Sequence, residues 1–320
     1  MAGGASRRFD LGPCFPRRDD DNGLGKIDTD QWRIGLDRAS GMVHLAARCE
    51  IDLGVVMLRK AICLFLLIFL NPTAALAQER SRGSVGVVLL HGKGGQPGGN
   101  ILGLTKSLEA EGVNVIVPVM AWSGSRGQPF NYDKTYEVAL REIDGAMAKL
   151  RARGAKKIII AGQSLGANAA LAYVAHKPSG IAGVIMLAPG QAPERMRFPG
   201  VQNAQAKARD MIAAGQGLQR ADFPDINVGQ SFMVSGTYAG WYSYYNPEGR
   251  ANMPDNAARL RGVPLLYVVG RSDPIYKLGR EYVFEKAKRH PKSRYVEIDA
   301  DHLDTPDKAR STVLDWLKTL

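Results

Sequence analysis

The side chains of this 320-residue chain that could carry covalent chemistry begin with a serine flanked by glycines, in Gly162-Gln163-Ser164-Leu165-Gly166. These five residues follow the apolar run Lys157-Ile158-Ile159-Ile160-Ala161 and open an Ala-rich stretch that stops before Pro178. A strand that turns abruptly into a helix holds a serine at the apex of a strained turn, and side chains two positions away would collide with neighbouring backbone, so both flanks call for glycine. A serine so placed can attack an acyl carbon, with the free N–H groups and positive dipole end of the helix aimed at the reacting centre. Its alternative role is a helix N-cap. The strand before it and the helix after it favour the nucleophile.

A serine hydroxyl needs a base to take its proton, and the chain offers five histidines. His44 lies in an N-terminal stretch read below as outside the working protein. His176 and His290 sit at helix ends, where a histidine is commonly a surface cap, and His91 ends a strand upstream of the serine. His302, in the loop Asp299-Ala300-Asp301-His302-Leu303-Asp304 between the last strand and the last helix, is the expected base. A carboxylate must then hold the imidazole in the right tautomer. Asp273, in Gly270-Arg271-Ser272-Asp273-Pro274 directly after a strand, is expected to do so, with Asp299 and Asp301 as rivals too close in sequence to meet the ring well. The negative charge that develops on the substrate oxygen calls for two N–H donors. One is expected from the backbone of Leu165; the other from the glycine-rich loop His91-Gly92-Lys93-Gly94-Gly95, at Lys93 with Gly94 as the fallback. That loop lacks the G-x-x-x-x-G-K-[ST] spacing of a phosphate-binding P-loop. No metal is expected: Asp299, Asp301, His302 and Asp304 more simply surround a catalytic histidine.

These residues need a frame that brings them together. From residue 85 on, short apolar runs alternate with amphipathic stretches, the pattern of βαβ units around a parallel sheet. Strands are predicted at 85–90, 114–118, 157–162, 183–188, 264–270 and 294–298, continuously apolar as doubly buried parallel strands should be. Helices are predicted at 132–153, 164–176, 276–289 and 305–320. The C-terminal ends of such strands share one edge of the sheet, so Ser164, Asp273 and His302 would meet there. About 75 residues separate the strand ending at Ala188 from the one opening at Pro264. This insertion, placed at 190–260, is read as a cap with a helix at 201–214 and an aromatic cluster. Trp241, Tyr242 and Tyr245 in that cluster are expected to contact substrate.

Met57-Leu58-Arg59-Lys60, the ten apolar residues Ala61–Leu70, and Ala75-Leu76-Ala77 follow the order of a secretory signal peptide cleaved after Ala77. The apolar run is half the roughly 20 residues that a bilayer crossing needs, so the mature protein is expected to have no membrane span. Translation is expected to start at Met57, residues 1–56 being a non-native or disordered extension. The expected location is the periplasm or the exterior. Cys14, Cys49 and Cys63, the three cysteines of the chain, all precede the cut, which leaves no disulfide or cysteine metal site in the mature part. The net charge is +11, but no interleaving of basic and aromatic residues suggests nucleic acid.

Taken together, the His91-Gly92 loop, the Gly162–Gly166 turn, and Asp273 and His302 in that order resemble the α/β-hydrolase superfamily over residues 84–320. The resemblance implies a mostly parallel central sheet flanked by helices, here of about six strands because no room remains for the usual opening hairpin. It also implies activity on esters, thioesters or amides without a cofactor. The expected function is hydrolysis of a small-molecule carboxylic ester through an acyl-enzyme on Ser164. The alternatives are acyl transfer on the same fold and a catalytically idle fold that binds a ligand.

Overall fold

The computed structural model describes residues 84–124 and 130–320. The signal-peptide segment 57–77 and the extension 1–56 lie outside them. Six strands form one parallel sheet in the order β2-β1-β3-β4-β7-β8: β1 (Val85–Leu90), β2 (Asn114–Ile116), β3 (Lys157–Ser164), β4 (Gly183–Pro189), β7 (Leu265–Gly270) and β8 (Arg294–Ile298). Alternate residues enter opposite cores, as the two-residue period of a strand requires. Val88 and Leu90 point into one cluster with Ile158, Ile160 and Val184, whereas Val87 and Leu89 join Ile159, Ile185 and Leu187 on the other face. Both clusters are buried because helices cover both faces: α1 (Leu102–Ala110), α2 (Tyr136–Ala152) and α3 (Leu165–His176), with α7 (Thr305–Lys308) and α8 (Arg310–Leu317) closing the chain. None of the described helices is long and apolar enough to cross a membrane.

The strand order fixes where a ligand can sit. From β1 the chain goes outward to β2 on one side, then returns to place β3 on the other. The loops leaving β1 and β3 therefore diverge and open a crevice at their carboxyl ends, the topological switch point of an open parallel sheet. The glycine-rich loop after Leu90 and the turn at Ser164 are the two that flank it.

The predicted strands all form, within one to two residues at their ends. Two helices differ. Residues 276–289 hold two short 3-10 turns, Pro274–Leu278 and Phe284–Lys286, because Gly279 adopts φ 68° and ψ 177° and turns the chain out of any continuing helix. The last helix is broken into α7 and α8 around Ala309. The nine-residue α1, buried through Leu104 and Leu108, has no counterpart in the sequence reading; its apolar stripe spans barely two turns.

The insertion 190–260 contains α4 (Pro199–Ala213), an antiparallel hairpin of β5 (Arg220–Asn227) and β6 (Gln230–Thr237), α5 (Tyr238–Tyr245) and α6 (Met253–Arg259). The hairpin is unforeseen in the sequence. Its two-residue turn has Val228 at φ 48° and Gly229 at φ 77°, the paired positive angles that match strand twist, but a valine supplies no recognisable turn signal. A β-branched residue in that region is strained. Tyr132 docks the hairpin onto the rest of the fold: its N–H donates to the Ser235 carbonyl at 3.0 Å and its carbonyl accepts from the Thr237 N–H at 3.1 Å.

The aromatic cluster turns out to be core. On α5, Trp241 lies stacked between Phe223 of β5 and Tyr245, with ring centroids 4.9 and 4.4 Å away. Tyr244 packs against Tyr132 and Tyr136, both at 5.0 Å. Such pairs are worth about 0.5–1.5 kcal/mol each beyond their buried area, so they weld α5 to the hairpin and to α2. Trp241 and Tyr245 are fully buried, and Tyr242 packs against the same cluster.

Candidate active site

Ser164 ends β3 and precedes the first residue of α3 at φ 57° and ψ −123°, a conformation that costs a non-glycine residue energy and persists only where surrounding structure enforces it. The enforcement is backbone packing. A Cβ added to Gly162 would overlap the Gly166 carbonyl, and one on Gly166 would lie 2.6 Å from the His91 carbonyl oxygen. β3, α3 and the β1 loop meet too closely for any other residue.

His302 reaches Ser164 from the loop after β8. Its Nε2 is 2.9 Å from the Ser164 Oγ and its Nδ1 is 2.7 Å from Oδ2 of Asp273. Asp273 is 3% exposed; its other oxygen, Oδ1, accepts from the Ile275 N–H at 3.0 Å. Both carboxylate oxygens are thereby committed, and the carboxylate can face the ring in one way only. The rival Asp301 is occupied elsewhere, accepting from the N–H groups of Leu303 and Asp304 and so shaping the loop. Gln163 adds a brace: its side-chain amide donates to the His302 carbonyl at 3.1 Å.

His91, the histidine beside the site, is held differently. Its Nδ1–H donates to the Gly92 carbonyl at 2.8 Å and its Nε2 accepts from the Ser123 hydroxyl at 2.7 Å. Burial pushes its pKa below the ordinary 6.5, against smaller opposing effects of the Gly92 carbonyl and Glu142. The neutral ring is the one that fits. Between 6.5 and the lower folded value the unfolded chain binds more protons than the native one. The stabilisation is therefore complete above pH 6.5 and is lost as pH falls through that window. Thermal midpoints measured from pH 8 to 5 should decline less steeply in His91→Gln than in the wild type; identical slopes would exclude His91 as a contributor.

Leu165 is the first residue of α3, so its N–H is among the four that a helix leaves without an internal acceptor. It lines the same cleft as Ser164 and His302, as does Lys93. The fallback donor Gly94 is excluded, because its N–H donates to the Trp122 carbonyl at 2.9 Å. Nothing comparable occupies the Lys93 N–H among the described residues.

The cleft has two lobes that share Ser164, His302, Lys93, Asn227 and Val228. The larger, about 290 Å³, has apolar walls from Met196, Ile226, Val228, Ile275 and Leu278. The smaller, about 100 Å³, is lined by polar groups such as Gln96, Asn100 and Gln163. Trp241, Tyr242 and Tyr245, expected to touch substrate, line neither lobe. The parts of the insertion that reach the Ser164 cleft are its opening residues Gly190, Gln191 and Met196 and the hairpin tip 226–229, whereas the aromatic rings are consumed in holding that hairpin.

The family model for the alpha/beta hydrolase family matches residues 87–311, and this chain belongs to that family. No curated protein matches it by sequence. Its fold is similar to that of the monoacylglycerol lipase of Paleococcus ferrophilus, at 21% identity and a TM-score of 0.53 over 73% of this chain and 94% of the lipase. A structure from the work on LipS and LipT, two metagenome-derived lipolytic enzymes, is similar at 17% identity and a TM-score of 0.52, over 74% of this chain and 92% of that one. A thermophilic esterase from Thermogutta terrifontis is similar at 21% identity and a TM-score of 0.50, over 73% and 90%.

Proposed function

We propose that this protein is a carboxylic-ester hydrolase working through an acyl-enzyme on Ser164. The observation that carries the reading is the continuous relay from the Ser164 Oγ to His302 at 2.9 Å and from His302 to the buried Asp273 at 2.7 Å. In the proposed cycle the Ser164 oxygen attacks the ester carbonyl carbon while its proton passes to the His302 Nε2. The Asp273 carboxylate stabilises the resulting imidazolium. The Leu165 and Lys93 N–H groups receive the oxyanion. The imidazolium returns the proton to the departing alcohol, and water, activated by the same ring, then releases the acid.

The shape of the cleft supports a division of the substrate. An uncharged acyl chain suits the aliphatic 290 Å³ lobe, and a small polar alcohol suits the 100 Å³ one. Residues 57–77 have the pattern of an export signal, so we place the reaction outside the cytoplasm. p-Nitrophenyl esters of graded acyl length, assayed with a fluorophosphonate probe, test the reading. Hydrolysis should peak at short to medium chains and the probe should attach to Ser164. A protein that neither turns over any ester nor takes the probe would overturn it.

A further inference from the structure

Lys93 lies in a loop that its own sequence leaves loose. Of the five residues His91-Gly92-Lys93-Gly94-Gly95, three are glycines, and Gly94 adopts φ 67°. The loop's ends are tied to the segment 120–124, through the His91 ring to Ser123 and the Gly94 N–H to the Trp122 carbonyl, and Lys93 adds the one side-chain tie that runs from this loop to the hairpin among the described residues. That side chain does not point to solvent. Its ammonium lies 2.5 Å from Oδ1 of Asp225, 3.2 Å from the Ile226 carbonyl and 3.3 Å from the Tyr245 hydroxyl. The side chains of the pair are 3% and 0% exposed. Asp225 in turn accepts from the Tyr132 hydroxyl at 2.8 Å, from the Ile226 N–H at 2.6 Å and from the Tyr245 hydroxyl.

Every donor of the ammonium is used and the carboxylate is saturated. A buried ion pair is a weak source of stability, because desolvation cancels much of the attraction; an apolar pair of similar shape often does as well. What a fully satisfied network does provide is a single geometry. Here the two ends of that geometry are functional places. One is Lys93 itself, which lines the cleft together with Ser164 and whose N–H is the proposed second oxyanion donor. The other is β5, where Asp225 stands two residues before Asn227 and three before Val228, the hairpin tip that walls both lobes.

We infer that Asp225 is a positioning residue: through the ammonium of Lys93 it sets the oxyanion-binding N–H of the glycine loop, and it ties that donor to the substrate-facing hairpin. The inference rests on the acyl-enzyme reading of Ser164. It gives the hairpin a second task besides walling the cleft, since a shift of β5 carries Asp225, Lys93 and the donor with it. A displacement of about 1 Å at such a group costs on the order of a hundredfold in rate.

The test pairs Lys93→Met with Asp225→Asn in one protein, so that neither charge is left buried alone. The double variant should keep its thermal midpoint within a few degrees. Its kcat for the best p-nitrophenyl ester should fall about a hundredfold, with KM changed less than about threefold, the pattern of an interaction made only in the transition state. Affinity for a phenylboronic acid, which forms a tetrahedral adduct on the serine, should fall in parallel. A merely structural pair would lower the midpoint and leave kcat and boronate affinity at wild-type values, and that result overturns the inference. If the double variant does not fold, Tyr245→Phe, which removes one neutral donor from Asp225, should still lower kcat about threefold at constant KM; an unchanged kcat there also overturns it. The two readings fail in different ways. A wild-type protein without ester turnover or boronate binding removes the acyl-enzyme reading and this inference together. An active wild type with an equally active double variant removes only the inference.

Discussion

Ser164→Ala is expected to lower ester turnover by on the order of 10⁶, the effect of removing the nucleophile from a serine–histidine–carboxylate relay, while the protein folds as before. The fold should tolerate the change because, among the described residues, the Ser164 hydroxyl makes its hydrogen bond to His302 alone, and alanine meets the same φ of 57° that serine does. The Gly162 and Gly166 contacts that impose this angle are untouched. Turnover should be followed with a p-nitrophenyl ester alongside a thermal midpoint and the fluorophosphonate label. The expected pattern is loss of both activity and label at a midpoint within a few degrees of the wild type. Activity above about one hundredth of the wild type would place the nucleophile elsewhere, given how large the loss should be.

Asp273→Asn is expected to reduce kcat by about 10⁴ with KM little changed, and the reason lies in one backbone N–H. The Ile275 N–H donates to Oδ1 of Asp273 at 3.0 Å, so an asparagine in that place must put its carbonyl oxygen there. Its NH₂ then faces the His302 Nδ1, which in the wild type is 2.7 Å from Oδ2. Two donors cannot face each other, so Nδ1 must become the acceptor and the proton moves to Nε2. That nitrogen faces the Ser164 Oγ and can no longer accept from it. The loss is of the wrong-tautomer kind, with a magnitude of about 10⁴ where a similar exchange keeps the geometry intact. Stopped-assay kcat and KM, with the rate of fluorophosphonate labelling, check this; labelling should slow by a comparable factor. A drop of less than about tenfold would mean that another group orients His302.

The two exchanges separate what the relay does. Without Ser164 there is no acyl acceptor, whereas without the Asp273 charge the acceptor is present but its proton has nowhere to go. Parallel losses of rate and labelling in Asp273→Asn, against complete loss of label in Ser164→Ala, would distinguish a misprotonated site from an absent one.

Much of this site is legible in the chain because its parts are local. The Gly162–Gly166 turn follows from five consecutive residues whose sizes the turn dictates, and the apolar run before it is long enough to announce a buried strand. Asp273 and His302 follow from the rule that loops at the carboxyl ends of parallel strands share one edge, so their positions after β7 and β8 suffice to bring them to Ser164. The same logic identifies the glycine loop after β1. None of these inferences needs to know what packs on what.

Where packing decides, sequence periodicity is silent. Trp241, Tyr242 and Tyr245 have the composition of a ligand wall, yet whether an aromatic face meets substrate or another ring depends on elements far apart in the chain. Phe223 is there to receive Trp241, and Tyr132 to receive Tyr245. Gly94 as an oxyanion donor fails for a similar reason, since the carbonyl of Trp122, 28 residues downstream, takes its N–H. The hairpin turns on Val228 and Gly229, residues whose angles come from strand pairing and not from a turn signal. The ion pair of Lys93 and Asp225 joins residues 132 positions apart, and in the sequence each is one charge among many. By itself, then, the chain determined the strained turn at Ser164, the Asp273 and His302 that meet it and the sheet that assembles them, because backbone sterics and strand order act over short stretches. Which residues wall the cleft, and that the Lys93 side chain pairs with Asp225, only the tertiary structure decided, because those contacts are set by what each surface is pressed against.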